Sequence, residues 1–375
     1  MKILHVSRQF YPVAGGTETY ILNLCEGLIK KGIRSDVLCL DYSIYDKKQR
    51  FPAKEVFKGI NIYRVHAIGS YKKPIPLSIP VKLFNSYDII HLHDIRLFFE
   101  TSCVLKLFMR YKLIISTCGL FFHTDWFEKA KEIAMSVYYK NILNIFFDAV
   151  ICIGERDFHT MQKFRVKKLR YIDAGVKIDK YRLSAADTTD KTNKIFYFGR
   201  IDFNKGLELL FKSLAQINDA KWELIIAGRA LDECKKMLDA LAARLGITES
   251  IKWLGRVTDN DIADLINGSR FCVMPSTFES FGITVLEAMS VGAVCIANKI
   301  QAYEVFIENG KDGYLTDFSD TAQTAELLRK ILVMPHPKLK LIGENAKLKA
   351  MKYDCNLRTD EIINLYNEVL HGKAA

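Results

Sequence analysis

The stretch STFESFGITVLEAM (276–289) sets Glu279 and Glu287 on either side of a Phe-Gly turn. The apolar run FCVMP before it reads as a buried strand, and a helix is predicted to start at Gly282 or Ile283. A helix start offers free amide N–H groups and a positive end, which suit a phosphate. Carboxylates repel phosphate, but they accept hydrogen bonds well from paired hydroxyls. A second pattern, GRIDFNKG, puts Arg200 and Lys205 between the strand IFYFG and the next helix. The helix dipole disfavours cations there. A diphosphate would hold both, Arg through its planar fork and Lys as a point charge. Taken together, the two patterns imply a ligand whose phosphates are flanked by two polyols, as in a sugar nucleotide. Taken singly, each has a plainer account: a capping carboxylate with an exposed glutamate, or two solvated cations.

Three further patterns bear on chemistry. Gly15 and Gly16 in VAGGTETY precede a helix and could bring backbone amides to an anion, or form a plain turn. The spacing is not G-x-G-x-x-G, so a dinucleotide fingerprint is absent. In HLHD (91–94), His91 and His93 alternate along a strand and share a face. Two histidines with no third clear ligand make a poor zinc site, so a structural role is expected, with His93 or Asp94 lining a cleft. The DND run at 259–261 resembles a metal-binding D-x-D, but it stands at a helix start, where capping is expected.

These residues must be positioned by the elements around them. Strand-like apolar runs alternate with amphipathic helical runs along the whole chain, which predicts parallel sheets with helices on both faces. The polar stretch 183–194 interrupts this rhythm and reads as a linker. The expected architecture is α/β, with two doubly wound Rossmann-like domains facing across a cleft. Residues 1–182 would form the acceptor-side domain and 195–356 the donor domain, with a final helix at about 357–372 packing back on the first domain. In such sheets ligands bind past the carboxyl ends of strands.

GGTE, GRIDFNKG and STFESFGITVLEAMSVGAVCIA, in this order over nearly the whole chain, resemble glycosyltransferase family 4, whose members are retaining enzymes of the GT-B fold. The resemblance implies that Arg200 and Lys205 hold a donor diphosphate, that Glu287 binds the ribose and that Glu279 faces the donor sugar. It implies contacts from the amides of Phe281, Gly282 and Ile283, and closure of Gly15 and Gly16 on the diphosphate. No protein nucleophile is expected: the acceptor attacks from the face the leaving group departs, and the phosphate takes its proton. Family members usually carry a histidine where STCGLFFHT has Cys118, and His123 follows five residues later. Either His123 takes over that contact, or the enzyme works without it, or catalysis is impaired. A second departure is Ala174 in YIDAGVKIDKY, where the family usually has Asn. STCGLFFHT resembles exopolysaccharide mannosyltransferases, which implies GDP-mannose as donor, no further cofactor, no metal, and a saccharide acceptor linked to polyprenyl diphosphate.

Residues 1–185 carry 30 Lys and Arg against 17 Asp and Glu, and the rest carry 24 against 26. The basic half suggests an anionic surface or partner for that half, or simply solubility. With Phe121, Phe122, Trp126 and Phe127 close together, it suits peripheral contact with an anionic membrane, unless these aromatics are core. No nucleic-acid partner is expected. No apolar run approaches the ~20 residues of a membrane span, and MKILHVSRQF lacks the unbroken core of a signal peptide. Nine cysteines without a C-x-x-C pair suit a reducing compartment, so the expected place is the cytoplasm, at the inner face of the cytoplasmic membrane. A sugar-nucleotide epimerase or hydrolase of the same plan, and a non-catalytic binding subunit, remain alternatives.

Overall fold

The computed structural model describes residues 1–43, 48–70, 73–119, 132–181 and 193–372. The chain divides into two compact units, one joining Met1–Gly175 to Cys355–Ala375, the other Val176–Asp354. The strands of the first unit are β1 (Lys2–Val6), β2 (Arg34–Leu40), β3 (Lys54–Phe57), β4 (Ile60–Val65), β5 (Ala67–Ser70), β6 (Lys73–Pro76), β7 (Ile89–Leu92), β8 (Lys112–Thr117), β9 (Ala149–Cys152) and β10 (Leu169–Tyr171). Those of the second are β11 (Lys194–Phe198), β12 (Glu223–Ala227), β13 (Ile251–Gly255), β14 (Phe271–Met274), β15 (Cys295–Asn298) and β16 (Tyr314–Thr316).

Among the described residues, the first unit holds a sheet in the order β10-β9-β8-β7-β1-β2-β4-β3. It departs from the expected parallel sheet at one edge, where β3 pairs antiparallel with β4. The turn between them places Lys58 and Gly59 at φ 52° and 80°, the positive pair that a tight hairpin with matching twist requires. β5 and β6 form a separate antiparallel hairpin. Side chains alternate across the main sheet. Leu4, Val6, Leu38, Leu40, Ile90, Leu92, Leu113 and Ile115 join one apolar core with Phe99, Leu143 and Phe147 from the overlying helices. The other face packs under the helices Gly16–Lys30 and Cys355–His371. These approach so closely that a Cβ on Gly27 would lie 2.6 Å from Thr359 Oγ1.

The second sheet runs β13-β12-β11-β14-β15-β16, and each adjacent pair of its strands is parallel. By sequence the first domain ends at 182, but the structural break falls at Gly175. The Val176 N–H donates to Tyr353 O at 2.7 Å, and Val176 bridges Asp354, so residues 176–181 belong with the second unit. The expected linker lies outside the described residues up to 192, and Lys194 is already in β11. Chain order reverses between β1 and β7 in the first sheet and between β11 and β14 in the second. Such a reversal opens a crevice at the strands' carboxyl ends, where ligands of doubly wound sheets bind.

Candidate active site

In the second unit the loops leaving β11 and β14 carry the predicted residues to this reversal. After β11 the chain passes Gly199 and Arg200 into a short turn, Phe203–Lys205, closed by Gly206 at φ 64°. A Cβ on Gly206 would fall 2.1 Å from Pro275 O, so only glycine lets this turn lie against the loop after β14. Thr277 N–H donates to Asn204 O at 2.9 Å and locks the two loops together. Lys205 Nζ thereby reaches Glu279 Oε1 at 2.6 Å, with both side chains about four-fifths buried. Tyr303 donates its hydroxyl to the same oxygen at 3.4 Å. Burial, and then the Glu279 charge, push that phenol well above its ordinary pKa, so it stays a donor. Arg200 Nε pairs with Asp202 at 2.7 Å and remains about two-fifths exposed.

Gly282 caps the helix Ile283–Ser290 at φ 97°, and a Cβ there would lie 2.7 Å from the Tyr303 ring. The helix thus begins at the predicted residue, with no side chain capping its first amides. Phe281 presents only its backbone to this turn, because its ring is buried edge-on against Phe306 at 5.1 Å. Glu287, in the second turn of the helix, is 5% exposed. Its carboxylate takes Lys180 Nζ at 2.8 Å and the Tyr181 hydroxyl at 3.2 Å. The structure therefore brings Lys205 to Glu279 and gives Glu287 a different lysine. The DND run caps its helix: Asp261 and Thr258 bond reciprocally in a capping box.

In the first unit the reversal is framed by the loops after β1, β7 and β8. Arg8 Nε and Asp94 Oδ2 pair at 2.5 Å across it. Gly15, extended, caps the helix Gly16–Lys30, and Glu18 folds back so that a Cβ on Gly15 would meet Oε2 at 2.4 Å. Cys118 follows the last residue of β8 and is half-buried. Burial, then the Asp94 and Asp157 charges, hold its thiol well above the usual range, so it stays neutral. His123, Phe121, Phe122, Trp126 and Phe127 lie outside the described residues.

Two features here are not visible in the sequence patterns. His91 and His93 do have a third companion: His5 on β1 stands opposite His91 in the ladder. His5 Nδ1 meets His93 Nε2 at 2.9 Å, and His91 bonds Tyr366 and Ser116 at 2.6 and 2.8 Å. All three are fully buried, and desolvation lowers all three pKa values, that of His5 to about 3. Among the described residues His5 Nε2 and His93 Nδ1 find no partner, whereas metal-bound imidazoles normally anchor their outer nitrogen, so the trio reads as a neutral packing cluster. The second feature is Asp157, which accepts the Gly119 N–H at 3.2 Å and is raised by burial to about 6. Ala174, the other departure, costs the turn nothing: Asp173 Oδ1 takes both Gly175 N–H and Arg358 Nε, at 3.0 and 2.8 Å.

Residues 14–180 match the model of glycosyltransferase family 4, and residues 183–349 that of glycosyl transferases group 1. The GDP-mannose:cellobiosyl-diphosphopolyprenol alpha-mannosyltransferase of Xanthomonas campestris is 31% identical over 309 residues, 81% of this chain and 80% of the relative. The chain belongs to glycosyltransferase family 4. A mannosyltransferase of the same name from Komagataeibacter xylinus is 29% identical over 381 residues, covering 100% of this chain and 94% of the relative. The sucrose-phosphate synthase of Thermosynechococcus elongatus superposes with a TM-score of 0.79 at 19% identity, over 99% of this chain and 100% of that one. Anabaena HepE, solved with UDP and glucose, gives 0.78 at 20% identity, over 98% and 100%. The glycosyltransferase thus has the GT-B fold, one parallel-sheet α/β domain in each half.

Proposed function

We propose that this glycosyltransferase is retaining and metal-independent and moves mannose from GDP-mannose to a saccharide carried on polyprenyl diphosphate. The observation that carries the reading is the Lys205–Glu279 pair beside Arg200 at the reversal of the second sheet. A cation for a phosphate and a carboxylate for hydroxyls meet there within 2.6 Å. The names of full-length relatives supply the choice of mannose and of the lipid-linked acceptor.

In this reading Arg200, Lys205 and the amides at Phe281, Gly282 and Ile283 stabilise the leaving diphosphate. Preorganised charge of this kind lowers a barrier more than any other contribution such a site can make. Glu279 accepts from the donor sugar and Glu287 from the ribose. The bond from C1 to the phosphate oxygen breaks with its electron pair going to the diphosphate. The acceptor oxygen bonds C1 on the same face and gives its proton to a phosphate oxygen. The two side-chain cations can themselves supply the positive charge a leaving diphosphate needs, which supports metal independence. The enzyme would work at the inner face of the cytoplasmic membrane. The basic first half supports this, and so do exposed apolar side chains such as Val104, Leu107 and Phe108 of that unit. Among the described residues no helix is long and apolar enough to cross a membrane.

The test is mannose transfer from labelled GDP-mannose to cellobiosyl-diphosphopolyprenol in vesicles. Expected results are an α-linked product, a rate unchanged within twofold by EDTA, and faster turnover on anionic than on neutral vesicles at low salt. A β-linked product would end the retaining assignment. A tenfold loss in chelator, restored by Mg²⁺ or Mn²⁺, would end metal independence. Transfer only from another nucleotide sugar would end the donor assignment, and equal rates on both vesicle types would end the membrane reading.

If His123 has taken over the sugar contact usual at position 118, His123→Ala should lose at least tenfold more activity than Cys118→Ala. Cys118→His should be tolerated. A harmless His123→Ala in an active enzyme would place that contact elsewhere.

A further inference from the structure

Both oxygens of Glu287 are already engaged within the second unit. Lys180 Nζ donates to Oε1 at 2.8 Å and the Tyr181 hydroxyl to Oε2 at 3.2 Å. The two partners differ in character. Tyr181 is buried, and its ring meets that of Phe198, the last residue of β11, edge-on at 6.1 Å. Burial, then the Glu287 charge, raise its phenol far above the ordinary value, so it has one hydrogen to give and no tendency to lose it. Lys180 is 23% exposed, lies 3.8 Å from Asp259 Oδ1, and rests 4.8 Å over the Tyr181 ring. It therefore serves two carboxylates at once. A carboxylate has about four acceptor positions, so one phenol and one ammonium leave a position on each oxygen for a vicinal diol.

We propose that Tyr181 is a positioning residue that fixes the Glu287 carboxylate for the two ribose hydroxyls of the donor. Lys180 is the counter-ion that keeps Glu287 and Asp259 from repelling the donor's phosphates. The proposal rests on the ribose reading of Glu287. It assigns distinct consequences to the two neighbours: Tyr181 governs how well a ribose is told from a sugar lacking its hydroxyls, and Lys180 governs affinity for the charged nucleotide whatever its sugar. Neither touches the reacting carbon, so both should act on KM and leave kcat nearly unchanged.

Binding of GDP and of 2′,3′-dideoxy-GDP to the full chain tests this by calorimetric titration. Wild type should prefer GDP by about tenfold or more, as expected for hydrogen bonds to a charged acceptor. Tyr181→Phe keeps the ring and its packing. It should cut that preference to about threefold or less and raise KM for GDP-mannose several-fold, with kcat within twofold. Lys180→Met should weaken both nucleotides alike, about tenfold at low salt, and flatten the salt dependence of binding. If wild type does not prefer GDP to its dideoxy form, the ribose reading of Glu287 falls and the proposal with it. If wild type prefers GDP and Tyr181→Phe keeps the full preference, the positioning role is overturned while the ribose reading stands. A Lys180→Met variant that binds both nucleotides as wild type does would remove the counter-ion role.

Discussion

If Lys205 serves the leaving diphosphate as proposed, Lys205→Ala is expected to lower kcat for sugar transfer by about 10²- to 10³-fold, the loss typical of removing one preorganised group from a developing oxyanion. Arg200→Ala should cost less, about tenfold to a hundredfold, because Arg200 is the more exposed cation and its Nε is turned to Asp202. The Lys205 variant carries a second burden: it leaves Glu279 with the Tyr303 hydroxyl at 3.4 Å and no ammonium in a partly buried place. A repulsive carboxylate beside the leaving diphosphate would then add to the lost attraction. Lys205→Ala combined with Glu279→Gln separates the two effects. If the cation itself serves the leaving group, the double variant recovers little of the lost rate. Recovery to near wild type would mean that Lys205 only neutralises Glu279, and the diphosphate assignment would fall. Thermal melting should change little in Arg200→Ala, whose side chain is exposed and lies outside the apolar core of the second unit, whereas Lys205→Ala should lower it and the double variant restore part of that loss.

The apolar strands and the Phe-Gly turn were legible because each rests on local chemistry. FCVMP is a buried parallel strand whatever surrounds it, and Gly282 stands where φ is 97° and a Tyr303 ring excludes any Cβ. The β3–β4 hairpin escaped notice because its turn is Lys58-Gly59, not the Asn-Gly that usually marks a pair of positive φ angles. The partners of the site residues were hidden for a different reason. Tyr303 approaches Glu279 from 24 residues away and Lys180 approaches Glu287 from 107 residues away, and no periodicity encodes such distances. Lys180 and Tyr181 also read by sequence as the trailing end of the first domain, whereas the Val176–Asp354 bridge carries them into the second unit. His5 was missed similarly. Its companions His91 and His93 sit 86 and 88 residues on, and only the β1–β7 register sets the three side by side.

That register has a consequence for stability. Three imidazoles buried neutral should make the first unit acid-sensitive well above the pH at which carboxylates titrate. In the unfolded chain each takes up a proton near pH 6.5, whereas in the fold His5 resists down to about 3 and the other two also lie well below 6.5. The folded-state values are depressed, so the stability is fully present above pH 6.5 and is lost progressively as pH falls from there toward 3. All three therefore act in the same direction, each withdrawing stability from the first unit as pH falls below 6.5. Asp157 opposes them: its folded value of about 6 exceeds the unfolded 3.8, so its uptake of a proton below pH 6 favours the fold. Three histidines outweigh the one aspartate, so the first unit should lose stability between pH 7 and pH 5. Hydrogen exchange reads this directly, with the amides of β1 and β7 compared with those of β11 and β14 in the same sample after correction for intrinsic rates. Protection in the first pair should fall steeply between pH 7 and pH 5 relative to the second. His5→Leu, which removes one of the three and also a buried Nε2 without a partner among the described residues, should reduce that slope. A ratio that stays flat across this range would mean that the imidazoles take up protons in the fold as freely as in the unfolded chain, and the neutral cluster would have to be abandoned.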